Sequence, residues 1–292
     1  MRFASTAVAA TFFILLWVPP LPAETAEERG DRFYHRRSAG FLDTGILDPQ
    51  PIAAAIAAYE EALKLHPESV WLHVKLMDAL YFQGFYVVEE RRLQRPIFDH
   101  LLELSGRALG LVAAKTGKEN ELASLPLEKQ AEILRRVPEA AEAHFWASAA
   151  WGLWGMAHSS WTALRAGVLH KVQDHASMVI LLDDRSHDAG GLRILGRMHT
   201  KTPRVPLITG WIDRRKGLSL LRRALAISRR DARTLLFLAE AILEYEKENR
   251  DEAIELLREL DRRTPDPAEL YEETEVLRQA RDELAELEGG KP

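Results

Sequence analysis

Apolar residues recur at helical spacing along almost the whole chain, and the strict alternation typical of a half-buried strand is nearly absent. Short segments rich in proline, glycine and polar residues interrupt the pattern. It predicts helices at about 51–66, 69–84, 92–115, 138–157, 161–183, 189–201, 213–228, 231–247, 250–263 and 267–288. Medium helices with short connections pack as hairpins, so we predict an all-α fold whose hairpins stack into an α-solenoid or bundle.

A four-residue pattern with the spacing of the second helix of a tetratricopeptide unit recurs along the chain. It consists of Ala55, Tyr59, Ala62 and Pro67 in one copy, Ala253, Leu257, Leu260 and Pro265 in another, and Gly217, Leu221 and Ala224 in a third. Small residues allow close helix approach, and proline ends the helix before the next turn. We therefore predict that 24–292 is a single all-helical domain of degenerate tetratricopeptide-like repeats, which are clearest at 51–84 and 189–265.

The first 23 residues have the layout of a secretory signal peptide. Arg2 is the only charged residue before Glu24, and Ala23 is a suitable cleavage residue after three prolines. An uncleaved membrane anchor is the alternative, but the apolar run from Phe3 to Val18 is shorter than the ~20 residues that span a bilayer. We predict cleavage after residue 23 and an exported, soluble, periplasmic product. It is not lipid-anchored, because the chain has no cysteine to carry the lipid.

The composition also limits the classes of partner and the source of stability. The chain has 39 lysines and arginines against 44 aspartates and glutamates. Nucleic-acid binding requires a basic face that neutralises phosphates, so we predict no nucleic-acid partner. An exported protein without cysteine has no disulfide bonds, so helix packing must stabilise the fold.

Three segments resemble the TatT component family of TRAP transporters (tripartite ATP-independent periplasmic transporters). They are AHFWASAAWGLWG at 143–155, HDAGGLRILGRMHTKTP at 187–203 and RRALAISRRDARTLLFLAEAIL at 222–243. The resemblance covers about 146–284, and the stretch 24–140 matches less clearly. It implies a non-enzymatic accessory component of a periplasmic TRAP-type transport system. It further implies a homo-oligomer that binds a periplasmic solute-binding protein and an apolar small molecule.

Tryptophan is concentrated in one short segment of the chain. Trp151, Trp154, His158 and Trp161 follow one another in steps of three, four and three, which places them on one face of a continuous helix. Such a face is either the aromatic wall of an apolar ligand pocket or a stripe packed in the core. These four residues are our candidate ligand-binding residues, with core packing as the alternative.

The segment at 201–213 (KTPRVPLITGWID) is longer than a hairpin turn requires. Long ordered insertions in compact folds are often functional. Trp211 within this segment is expected either to anchor it in the core of its own chain or to contact a neighbouring subunit.

The histidines and acids do not form a recognisable catalytic or metal-binding motif. His158, His170, His175, His187 and His199 contain no i, i+4 pair, and HExxH is absent. No nucleophile motif surrounds Ser159. We therefore predict no enzyme activity, no metal and no cofactor. The alternative function is a tetratricopeptide-type scaffold or adaptor for cell-envelope protein assembly, which binds peptides in a solenoid groove.

Overall fold

The computed structural model describes residues 23–289, except for the side chains of residues 42 and 43. Within this range the chain forms packed helices and contains no strand, so the predicted all-α fold class is confirmed. None of the helices described is both long and apolar enough to cross a membrane. The predicted signal peptide lies outside the described residues, apart from residue 23.

The first half of the described chain is dominated by four long helices, each close to a predicted one, with shorter helices between them. The α-helices here are α1 (Ala26–Tyr34), α2 (Phe41–Thr44), α3 (Pro49–Leu65), α4 (Val70–Phe82), α5 (Arg91–Lys115), α6 (Glu119–Leu122), α7 (Leu127–Leu134) and α8 (Ala140–Ala157). A π-helical turn, Gln83–Val87, extends α4. The sequence pattern missed α1, α2, α6 and α7, which are short.

The second half also follows the predicted helices, with one exception. Its α-helices are α9 (Ser160–Arg165), α10 (Val168–Leu182), α11 (Ser186–Lys201), α12 (Arg214–Ile227), α13 (Ala232–Tyr245), α14 (Arg250–Asp261) and α15 (Leu270–Gly289). Short 3-10 helices, Lys247–Asn249 and Pro267–Glu269, precede α14 and α15. The prediction of one helix over 161–183 was wrong. Gly167 adopts a left-handed φ of 68° there, which ends the short α9 and starts α10 in a new direction.

Small residues bring consecutive helices together in the second half. A Cβ atom at Gly217 of α12 would lie 2.9 Å from the Cβ of His199 and 3.1 Å from the carbonyl oxygen of Gly196, both on α11. Such distances require glycine, so the backbones of α11 and α12 touch at this crossing. Farther along, Leu238, Ala253 and Leu257 are fully buried in one hydrophobic cluster shared by α13 and α14. Assignment of these hairpins to the tetratricopeptide class remains a prediction.

Enlarging Ala253 is expected to destabilise this part of the fold. Ala253 has no exposed surface, so leucine in its place must displace its neighbours, at a cost of about 1–3 kcal/mol in the free energy of unfolding. Ala285→Leu is the control, because Ala285 is exposed on α15. Urea unfolding of both variants measures the difference. Equal stabilities would mean that α13 and α14 are packed in another register.

The two ends of the described chain meet. Arg37, which follows α1, donates from Nε to the Glu272 carboxylate of α15 at 2.7 Å and from its second guanidinium nitrogen to the carbonyl oxygen of Ala268 at 2.5 Å. The ring of Phe41 lies edge-on to Tyr271, with centroids 4.8 Å apart. The segment after α1 therefore packs against the start of α15.

Candidate functional site

Three of the four predicted ligand-binding residues form one aromatic cluster at the end of α8. The rings of Trp151 and Trp154 lie edge-on with centroids 5.9 Å apart, and Trp154 stacks on His158 at 4.0 Å. The indole Nε1 of Trp154 donates to the carboxylate of Asp99 on α5 at 2.7 Å. Trp151 and Trp154 are partly buried against a hydrophobic cluster that includes Val168. The structure therefore gives these two tryptophans a packing role as well as a solvent-facing edge.

Trp161 does not join this cluster. The helix that carries Trp151 and Trp154 ends at Ala157, just before His158. Ser159 begins α9 by accepting a hydrogen bond from the backbone N–H of Thr162. The change of direction leaves the Trp161 side chain 66% exposed on α9. Its helical spacing in the sequence therefore does not correspond to a shared face.

Alanine substitutions separate these roles. We expect Trp161→Ala to change the free energy of unfolding by no more than about 0.5 kcal/mol, because the ring is mostly exposed. Trp154→Ala removes ring packing and the hydrogen bond to Asp99, and about 2 kcal/mol is expected for a partly buried side chain. Thermal unfolding of the two variants measures the contrast. A large loss in Trp161→Ala would place that ring in an interface.

Trp211 anchors the inserted segment 201–213 within its own chain. Its ring stacks on His170 of α10 at 5.0 Å and lies edge-on to His199 of α11 at 5.9 Å. Within the chain, Trp211 therefore has the anchoring role that was one of the two alternatives predicted from the sequence. Leu207 at the tip of the segment is fully exposed.

A second group of side chains, which the sequence did not single out, lies where the segment after α1 meets the start of α15. We call it the central site. Its members are aromatic or charged, are contributed by six parts of the chain, and comprise Tyr34, Arg37, Asp78, Tyr81, Tyr86, Glu142, Phe145, His187, Arg233 and Glu272. Most of them are only partly buried.

Aromatic rings form one wall of the central site. Tyr81 of α4 lies 5.7 Å from Tyr86 and 5.9 Å from Trp146 of α8, measured between ring centroids. The hydroxyl groups of Tyr81 and Tyr86 are hydrogen-bonded at 3.2 Å. Tyr271 of α15 completes this wall, edge-on to Tyr86 at 5.6 Å. The wall thus joins the first and last parts of the described chain.

A strained turn places His187 against a second aromatic ring. Residues 187, 188 and 189 adopt left-handed φ angles of 52°, 53° and 63°, and the right-handed part of α11 begins only afterwards. The turn directs the imidazole of His187 onto Phe145, with ring centroids 3.5 Å apart, and its Nε2 lies 2.9 Å from the Glu142 carboxylate. Left-handed conformations of non-glycine residues are unfavourable and often accompany functional sites.

Arg193 stabilises the left-handed turn at His187 through hydrogen bonds to its backbone. Its guanidinium donates to the carbonyl oxygens of His187 at 3.2 Å and Asp188 at 3.3 Å, and it forms an ion pair with Asp231 at 3.1 Å. Both side chains of the ion pair are buried. A buried charge must be paired and hydrogen-bonded to be tolerated. The ion pair therefore fixes the position of His187 at the central site.

One of the carboxyl groups of the central site has an oxygen without a hydrogen-bond partner, and burial acts on two of them. One oxygen of Glu272 accepts from Arg37, but its Oε2 is buried with no hydrogen-bond partner. Burial raises the pKa of Asp78 to about 6, although Tyr34 and Arg37 act in the opposite direction. Burial also raises the pKa of Glu272. Burial therefore disfavours the charged form of both carboxyl groups.

The central site is surrounded by protein and still accessible. Burial raises the pKa values of Tyr34, Tyr81 and Tyr86, yet all three side chains retain exposed surface. The side chains of His187 and Arg233 are 26% and 28% exposed. These groups are thus enclosed by several helices and keep part of their surface exposed, as side chains at small-molecule sites commonly do.

Metal-binding geometry is not found in residues 23–289, where no three His, Asp or Glu side chains come together as ligands. No family model matches the chain, and a search of curated proteins finds no match either. The resemblance to the TatT component family therefore rests on the three sequence segments alone and continues as a proposal.

Proposed function

We propose that this chain is a non-enzymatic accessory component of a periplasmic TRAP-type transport system. In this role it binds a solute-binding protein and holds a small molecule in the central site. The observation that carries the proposal is the enclosed but accessible set of aromatic and charged side chains around Asp78, Tyr81 and Glu272. Concave interiors with a few convergent polar groups are typical ligand sites.

Two further features support this proposal. The residues at 143–155 and 187–203 that resemble the TatT component family contribute Phe145 and His187 to the central site. The predicted export signal at 1–23 agrees with a function in the periplasm. Ring stacking and ion pairing in the central site arrange groups for binding, and no nucleophile–base pair motif accompanies them in the sequence.

Complex formation with a solute-binding protein tests the proposed function. The mature chain, residues 24–292, is mixed with the purified solute-binding protein of a TRAP transporter from the same organism, and sedimentation velocity is recorded. We expect a complex with that protein and none with the solute-binding protein of an unrelated transporter class. Absence of a complex with every TRAP solute-binding protein of the organism would contradict the proposed function.

An open groove favours the alternative function, a scaffold or adaptor for envelope proteins. The groove has a volume of about 550 Å³ and is formed by α11, α13 and α15. It is lined by Lys201, Glu240, Leu243, Glu244, Gln279, Asp282, Glu283 and Glu286. An open, mainly acidic groove suits an extended basic peptide. Binding of basic peptides that Glu283→Lys abolishes, together with no solute-binding-protein complex, would favour this alternative.

A further inference from the structure

We infer that the central site binds a small organic cation, namely an amine carried on an aromatic or apolar frame, with Asp78 and Glu272 as its counter-charges. This inference rests on the proposed function, because it names the chemical class of the small molecule held there. It departs from the apolar ligand that the family resemblance implies.

Glu272 provides the first line of support. Its side chain is only 7% exposed, and Oε2 has no hydrogen-bond partner. Arg37 does not supply that partner, because its donors go to the other carboxylate oxygen and to the carbonyl oxygen of Ala268. Buried polar atoms in folded proteins are nearly always hydrogen-bonded. The unpaired acceptor could accept a hydrogen bond from a bound donor, and an ammonium group carries three.

Asp78 provides the second line of support. Arg37, the arginine that faces it, pairs with Glu272. Two other arginines near the central site also pair elsewhere, Arg193 with Asp231, and Arg233 with Asp231 and Glu269. Asp78 is thus the carboxylate left without a salt bridge to any residue in the described range. A positively charged ligand would compensate it.

The tyrosines provide the third line of support. The faces of aromatic rings attract cations, and desolvated sites strengthen this attraction. The site already accommodates one cation in this way, because the guanidinium of Arg37 lies 4.4 Å from the ring centroid of Tyr34 and 5.4 Å from that of Phe82. Tyr81 lies one helical turn after Asp78 and is only partly buried. Together these groups match an alkylammonium group on an aromatic frame better than a neutral molecule.

The inferred ligand also makes binding depend on pH. Asp78 is faced by Tyr34 and Arg37 from the N-terminal segment, by Glu272 from α15 and by His187 from α11, and burial raises its pKa to about 6. An ammonium group binds the charged carboxylate, so its affinity should fall as the pH is lowered through 6 and Asp78 becomes protonated.

Isothermal titration calorimetry with three probes of one frame tests the inference. The probes are 2-phenylethylamine, 2-phenylethanol and phenylacetate, and the protein is the mature chain at pH 7.5. We expect the amine to bind at least tenfold more tightly than the alcohol, and the carboxylate to show no binding. Asp78→Asn and Glu272→Gln should each weaken amine binding at least tenfold. Asp174→Asn, which changes an exposed carboxylate on α10, is the matched control and should leave it unchanged.

The other outcomes overturn the inference in distinguishable ways. Equal binding of amine and alcohol, or unchanged amine binding by a folded Asp78→Asn variant, would show that the site holds small molecules without selecting for charge. That result would contradict the inferred cation selectivity and leave the proposed function unaffected. If none of the probes binds, the cation inference falls as well, and the solute-binding-protein experiment alone decides the proposed function. Circular dichroism establishes that each variant is folded before titration.

Discussion

Replacing Asp231 by alanine is expected to lower the free energy of unfolding by about 3–5 kcal/mol. The carboxylate of Asp231 is buried, pairs with the buried guanidinium of Arg193 at 3.1 Å and accepts the backbone N–H of Thr234 at 2.8 Å. Without it, Arg193 remains a buried charge whose remaining acceptors are the carbonyl oxygens of the left-handed turn. Chemical denaturation of the wild type and the variant measures the loss.

Asp213→Ala is a matched control for that experiment. Asp213 begins α12 as Asp231 begins α13, and its carboxylate accepts the backbone N–H of Lys216 at 3.2 Å. Asp213 is exposed and has no buried cation to neutralise. Its replacement should remove only the N-terminal cap of α12 and lower the free energy of unfolding by about 1 kcal/mol. Equal losses in the two variants would show that the Arg193–Asp231 pair does not support the turn at His187.

Acidification is expected to lower the free energy of unfolding by on the order of 3–6 kcal/mol between pH 6.5 and 4. His144 of α8 and His175 of α10 share a hydrogen bond between their Nδ1 atoms at 3.0 Å. Burial lowers the pKa of His144 to about 3 and that of His175 to about 4. Both therefore stay neutral in the folded protein at pH values where the unfolded chain protonates them. Unfolding then takes up protons, so stability falls as the pH decreases from 6.5.

A double variant isolates the contribution of this histidine pair. Replacing both residues by leucine removes the two titrating groups while keeping side chains of similar volume at the α8–α10 contact. Carboxylates with lowered pKa values, such as Asp231 and Glu240, contribute to the pH dependence of stability in both proteins alike. Urea titrations at pH 7 and pH 4.5 should therefore show a smaller pH effect in the double variant. An unchanged pH effect would contradict the assignment to the histidines.

The long helices were predictable because each has an apolar face several turns long. The pattern at 231–247 corresponds to α13 (Ala232–Tyr245), for example, and that at 92–115 to α5 (Arg91–Lys115). Short helices have too few apolar residues for their periodicity to be recognised in the sequence. The start of α1 does have a local signal, a capping box in which Thr25 and Glu28 exchange hydrogen bonds. The apolar pattern at 161–183 did not show that Gly167 would interrupt the helix.

The tryptophan cluster was partly predictable and the central site was not. Trp151, Trp154 and His158 are close in sequence, so helical spacing alone brings them together. Tyr34, Asp78 and Glu272 come from distant parts of the chain and meet because the segment after α1 packs against the start of α15. The local signal for the central site is weak. Asp78 is the single charged residue within the apolar run 76–82.

Accessibility of the central site is the most direct test of a binding interior. The chain has no cysteine, so single cysteines can be introduced and labelled without background. Tyr86→Cys probes the central site, Trp161→Cys the exposed surface and Leu238→Cys the core, where the side chain is fully buried. An accessible interior predicts that Tyr86→Cys reacts with a small methanethiosulfonate reagent much faster than Leu238→Cys. It also predicts that a bulky polyethylene-glycol maleimide labels only Trp161→Cys. If Tyr86→Cys reacts with the small reagent as slowly as Leu238→Cys, the interior is closed and does not hold a ligand.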